Sequence, residues 1–149
     1  DPQGLAFWVD YIHRGATLED LEISFLGTPE YYAGAPAMFP NLGLTPPQAF
    51  VYAVYNDVLG RSPDPNGLGY WTMRLGQGDP AWHLAASVVK STEAMSNRVT
   101  DYYFSLLGRA PDAQGLASWT SLLQHGTRDE TLLAELAGST EYWNDTQAY

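Results

Sequence analysis

One eight-residue pattern occurs three times in this chain, and its spacing restricts the fold more than any compositional total does. It reads Asp1-Pro2-Gln3-Gly4-Leu5-Ala6-Phe7-Trp8, then Asp64-Pro65-Asn66-Gly67-Leu68-Gly69-Tyr70-Trp71, then Asp112-Ala113-Gln114-Gly115-Leu116-Ala117-Ser118-Trp119. The copies stand 63 and 48 residues apart, and the same steps relate Leu21, Leu84 and Leu132, then Phe25, Val88 and Leu136, then Glu30, Glu93 and Glu141. A register held over that length marks an internal repeat. Ahead of the pattern, Tyr55 to Arg61 matches Tyr103 to Arg109 at the step of 48. Nothing matches before Asp1, so the first copy is expected to lack its leading helix.

Each full copy reads as three helices. Val51, Val54, Tyr55, Val58 and Leu59, like Val99, Tyr102, Tyr103, Leu106 and Leu107, recur at spacings of three and four, the apolar face of a helix. Gly60 and Gly108 suit the C-cap that follows. A second helix starts at the repeated motif and ends near Gly76 or Gly126. A third opens at Asp79-Pro80 or at Thr127, with Glu130 placed as its capping-box partner. Ser91-Thr92-Glu93 then restarts a helix that flows into the next copy, and Ser139-Thr140-Glu141 repeats the signal. The expected fold is all-α: tandem three-helix repeats packed into one compact domain over residues 1–149. The repeats cover 1–31 (truncated), 47–94 and 95–149. Residues 32–46, rich in Pro, Gly and Ala, form an insertion expected to be irregular.

The pattern Leu-Gly-Arg-x-Pro-Asp-x-x-Gly-Leu-x-x-Trp stands as Leu59 to Trp71 with Glu93, and as Leu107 to Trp119 with Glu141. It resembles the bacterial family called domain of unknown function 4214, over nearly the whole chain. The resemblance implies a module of a larger secreted or cell-surface bacterial protein, beside neighbouring domains of the parent chain. The first copy departs from the pattern by having no Leu-Gly-Arg. The second has Ala94-Met95 where the others have Tyr31-Tyr32 and Tyr142-Trp143.

Composition removes several function classes. With 149 residues, 45% of them hydrophobic, there is material for an ordinary core. The formal charge of −10 repels nucleic acid and anionic membrane surfaces. No apolar run approaches the roughly 20 residues that span a bilayer, so no membrane insertion is expected. Without cysteine there is no thiolate metal site or thiol nucleophile. His13, His83 and His125 do not align between copies, and each reads as an ordinary surface or boundary residue.

The motif itself reads as structural. Asp64 and Asp112 suit an N-cap, Arg61 and Arg109 a tie across the loop, Gly67 and Gly115 the turn into the helix, and Trp71 and Trp119 the core. No cofactor is expected, although Asp64 and Asp112 are weak calcium candidates with one carboxylate per loop. The adjacent acids Glu19/Asp20 and Asp129/Glu130 fall in first helical turns, where the dipole favours them, and no nucleophile signature accompanies them. No catalytic residue is assigned.

Ligand-binding candidates are therefore taken from what does not repeat: Trp82, where the other copies have Glu19 and Glu130, Trp143 and Tyr142, and Met38 with Phe39 in the insertion. The expected function is a non-catalytic extracellular or cell-surface module for adhesion or assembly, binding a glycan or a surface protein. The alternatives are a structural spacer or calcium-stabilised module of a larger secreted protein and, further off, a glycan-cleaving enzyme.

Overall fold

The computed structural model describes residues 2–146; Asp1, where the first copy opens, and residues 147–149, where the third ends, lie outside the described residues. The fold is all-α, with no strand among the described residues. The helices are α1 Pro2–His13, α2 Leu18–Leu26, α3 Pro29–Met38, α4 Pro46–Leu59, α5 Pro65–Gly76, α6 Ala81–Val89, α7 Thr92–Leu107, α8 Ala113–Gln124, α9 Asp129–Ala137 and α10 Thr140–Thr146. They form two compact units, Asp1–Val89 and Lys90–Tyr149.

In the first unit α4 is the central helix, packed on α3, α5 and α6, while α2 packs on α6. Its Phe50, Val51 and Val54 are fully buried together with Leu84 of α6. In the second unit α7 takes the place of α4 and packs on α8, α9 and α10. Val99 of α7 and Leu132 of α9 are its fully buried centre. The signal at Ser91 works as expected: its hydroxyl accepts from the Ala94 amide, and α7 then runs unbroken for 16 residues.

The repeated loop has one construction in both full copies. Gly60 (φ 67°) and Gly108 (φ 63°) end α4 and α7 in the left-handed conformation that glycine adopts at least cost. The next residue turns back over the helix it has just left. The Arg61 guanidinium carbon lies 5.4 Å from the centre of the Tyr55 ring, and that of Arg109 lies 5.5 Å from the Tyr103 ring. Each Arg also donates from Nη1 to the carbonyl of the residue after it, at 3.0 Å. Asp64 Oδ1 then caps α5 by accepting from the Asn66 and Gly67 amides, and Asp112 Oδ1 caps α8 by accepting from Gly115. The Gly67 backbone hydrogen bond is the largest influence holding the Asp64 carboxyl below its ordinary range.

The motif glycine serves close approach rather than an unusual φ. A Cβ on Gly67 would stand 2.8 Å from the Tyr55 hydroxyl, and one on Gly115 would stand 3.2 Å from that of Tyr103. The tyrosine is thus enclosed between arginine on its face and glycine at its tip. A cation over an exposed ring contributes about 0.5–1 kcal/mol, whereas burying an aromatic side chain removes roughly 150–250 Å² from water, worth a few kcal/mol. Tyrosine burial therefore dominates, and the arginine orients it.

The two units differ at one interior position. Asp129, 1% exposed, accepts a 2.6 Å hydrogen bond from the Tyr102 hydroxyl and lies 3.5 Å from Arg98 Nε. At the step of 48 these three residues correspond to Ala81, Val54 and Phe50. An apolar contact in one copy is a buried ionic one in the other.

Two sequence expectations are corrected. Residues 32–38 of the insertion are helical, not irregular, because Thr28 caps α3, Pro29 occupies its first position, and Ala35 is fully buried on the α4 side. That packing overrides Gly34 and Pro36, which lower helix propensity. Thr127 does not cap α9, which begins at Asp129 after Arg128, with no side-chain hydrogen bond at the cap. The interior bonds of Asp129 set that start.

Two outcomes follow in chemical denaturation. Gly67→Ala should lose about 1–3 kcal/mol through overpacking against Tyr55, while Gly69→Ala on the same helix, with open space around it, should gain roughly 0.5–1 kcal/mol. Asp129→Ala should cost about 3–5 kcal/mol by removing the buried carboxylate that faces Tyr102 and Arg98, whereas the triple change Arg98→Phe, Tyr102→Val, Asp129→Ala should recover most of that loss.

Candidate functional site

Around Trp82, four residues that do not repeat are linked at the turn between α5 and α6. Arg74, in the last turn of α5, accepts at its carbonyl from the Asp79 amide at 3.0 Å, and its Nε donates to Asp79 Oδ2 at 2.6 Å. Backbone and side chain together close the turn, with Gly78 at φ 92° inside it. The other carboxylate oxygen, Oδ1, lies 3.2 Å from His83 Nδ1, one helical turn along. The His83 ring in turn stands edge-on to Trp82, with centroids 4.0 Å apart.

Trp82 is held from below. A Cβ on Gly27, the C-cap of α2, would fall 2.7 Å from the Trp82 Cβ and 3.1 Å from its Cα, so only glycine lets the two backbones meet. The indole beyond remains 51% exposed. His83 beside it and Arg74 across Asp79 each have about two fifths of the side chain exposed, at 40% and 42%. The result is an exposed tryptophan against an imidazole, which in turn meets a carboxylate held by a guanidinium. The Arg74 hydrogen bond, aided by His83 and opposed by partial burial, holds the Asp79 carboxyl below its ordinary range.

Sequence reasoning singled out Trp82 and passed over its neighbours. At the same steps Arg74 corresponds to Tyr11 and Leu122, Asp79 to Ala16 and Thr127, and His83 to Asp20 and Thr131. All three are private to the second copy, and that was the signal that could have found them. The inference that Trp82 faces outward from Glu19 and Glu130 is only half supported, because Glu19 is 9% exposed.

The other candidates separate. Met38 ends α3 and is 44% exposed, but Phe39 is half-buried, edge-on to Tyr52 with centroids 5.7 Å apart. The pair therefore does not form one exposed loop. Tyr142 packs on the core of the second unit, while Trp143 is 64% exposed. Of these, Met38 and Phe39 belong to the same unit as Trp82, and Tyr142 and Trp143 to the other. Tyr31 and Tyr32 are structural: both rings contact Phe50, and the Tyr31 hydroxyl donates to Asp57 at 2.6 Å. Burial first, then the Asp57 carboxylate, push the Tyr31 hydroxyl far above its ordinary pKa.

Asp64 and Asp112 are committed as caps, and among the described residues no cluster of three His, Asp or Glu side chains suits a metal ion. Arg109 forms a two-pronged pair with Glu141, 2.6 Å at its Nη2. A second feature of the second unit is an open groove of about 420 Å³ between α7 and α8, edged by Thr92, Ser96, Ser121 and Gln124. Thr120 lines it, and its buried hydroxyl has no hydrogen-bond partner. Thr72, one step of 48 earlier, repeats that unpartnered hydroxyl, so the feature belongs to the repeat.

Two overlapping stretches, residues 41–98 and 85–146, match the family model described as Domain of unknown function (DUF4214). Comparison with curated proteins and with solved structures gave no match. No helix among the described residues is long and apolar enough to cross a membrane.

The Asp79 arrangement carries a pH signature. A carboxyl held below its unfolded value, about 3.9, adds stability that is fully present above that value and is lost as pH falls through the folded one. The difference in thermal midpoint between the native protein and Asp79→Asn should stay constant from pH 7 to about 5 and shrink below about 4. A difference that persists unchanged at pH 2 would place the role of Asp79 elsewhere.

Proposed function

The chain belongs to the family described as Domain of unknown function (DUF4214), and we propose that it acts as a non-catalytic recognition module at a bacterial surface, with a glycan as its ligand. One observation carries this reading: a half-exposed tryptophan, fixed over Gly27, meets His83, which is joined through Asp79 to Arg74. A pyranose ring offers an apolar C–H face and a rim of hydroxyls. The indole matches the first by stacking, and the polar side chains match the second by donating and accepting hydrogen bonds. Arg74 keeps Asp79 ionised, so the carboxylate remains an acceptor.

The extracellular setting is supported by the acidic charge, which disfavours nucleic-acid partners, and by the resemblance of the motif to a family of secreted modules. A non-catalytic role is supported by the chemistry of the cluster, in which the histidine faces a carboxylate already held by arginine. A spacer role is the second reading. It is favoured by the way the motif spends Arg61, Asp64, Arg109 and Asp112 inside the fold.

A glycan array followed by calorimetry on the best hit distinguishes them. Trp82→Ala should weaken binding at least about tenfold, the scale of one lost aromatic anchor, without altering the helical signal or melting midpoint by more than a few degrees. Trp143→Ala serves as the comparison. If no glycan binds, or if Trp82→Ala binds as the native protein does, the recognition site is not here.

A further inference from the structure

The Trp82 cluster extends one helical turn beyond Arg74, to Tyr70 on α5, at the i, i+4 spacing that sets two side chains on one helix face. Tyr70 is half-exposed, and its ring stands edge-on to Trp71, with centroids 5.0 Å apart. Trp71 rests against the core of the first unit, so the tyrosine ring has a fixed neighbour. The Asp79 hydrogen bond first, and Tyr70 after it, hold the Arg74 guanidinium above its ordinary range, which puts tyrosine and arginine within electrostatic reach. Phe7 and Ser118 stand at the corresponding places, so this tyrosine too is private to the second copy.

The links run in one order: Tyr70 neighbours Arg74, Arg74 Nε donates to Asp79, the second Asp79 oxygen faces His83, and the His83 ring meets Trp82. An exposed aromatic ring stands at each end of that order, with donors and an acceptor between. Asp79 takes the Nε hydrogen of Arg74, leaving the outer fork of a partly exposed guanidinium to donate. The same carboxylate selects the histidine tautomer protonated at Nδ1, so Nε2 of the neutral ring accepts. We propose, resting on the glycan reading of this cluster, that Tyr70 is a second stacking residue and that the ligand is an oligosaccharide held at two rings, not a single sugar. Successive pyranoses present stacking faces with hydroxyls between them, and the order of aromatic, donor, acceptor and aromatic side chains answers that alternation. Three side chains intervene between Tyr70 and Trp82 along these links, so the two rings serve as separate positions.

Calorimetry on the whole chain against chito-, cello- and manno-oligosaccharides, each series taken from the monosaccharide upward in length, tests this. In the series that binds, affinity should rise at least about tenfold with length, the scale of a second aromatic anchor. Tyr70→Ser, which takes the residue of the third copy, should remove that gain, so that long and short sugars bind alike. Tyr70→Phe, which takes the residue of the first copy, should keep it. Both variants should melt within a few degrees of the native protein, as a half-exposed position allows. Trp82→Ala reports on the glycan reading itself and should weaken sugars of every length. A length gain that survives Tyr70→Ser, or no gain in the native protein, overturns the two-ring site, while a loss in Trp82→Ala leaves glycan recognition standing. Binding to none of the series, or native binding by Trp82→Ala, overturns both.

Discussion

A tyrosine enclosed between an arginine and a glycine is the contact on which the rest of this fold depends. Tyr55 and Tyr103 project from the leading helices, Arg61 and Arg109 fold back over their rings, and Gly67 and Gly115 leave room for their hydroxyls. Three elements of each copy meet there: the end of one helix, the loop and the start of the next. The left-handed glycine before each arginine makes the reversal possible, and the aspartate cap fixes where the next helix begins. None of these parts needs a ligand, which is why residue types that suit anion or cation binding occur here for another purpose.

With the frame set by that contact, the copies are free to differ inside it. Phe50, Val54 and Ala81 fill one interior position with apolar atoms, and Arg98, Tyr102 and Asp129 fill its counterpart with charge and hydrogen bonds. Buried ion pairs rarely add net stability over a well-packed apolar equivalent, so the second arrangement has a cost in desolvation that the first avoids. It does give α9 a unique seat on α7, because a carboxylate can satisfy its partners in only one position. The Trp82 cluster shows the same freedom on the surface, with a private set of side chains on a shared backbone.

Much of the frame was legible because it is local and repeated. Periodicity gave the helices, and glycine and aspartate gave their ends. The fixed spacing of Trp71 and Trp119 indicated packing, and both rest against core clusters. What was not legible depended on contacts between distant residues. The role of Gly67 required knowing that Tyr55 lies over it, and α3 required knowing that Ala35 is buried against α4. At the site, the aligned positions were an uneven guide to the exposure of Trp82, since Glu19 is buried, and His83 looked ordinary until its distance to Asp79 was known. Phe39 was misplaced for the same reason, since no local pattern announces Tyr52 as its partner.

The uninterrupted α7 has a consequence for how such an array can change. Its first turns complete the second copy and its last turns open the third, so the two family matches share residues 85–98. The second and third copies therefore share one rod, whereas the first and second are joined through α3 and a separate α4. A rod of this kind transmits phase: one residue added within it would rotate everything beyond by about 100° and advance it by about 1.5 Å. Met95 and Tyr103 could then no longer face their partners together. The 15-residue excess that separates the step of 63 from the step of 48 lies where the counterpart of that rod is split, in the later turns of α3 and the loop that leads into α4.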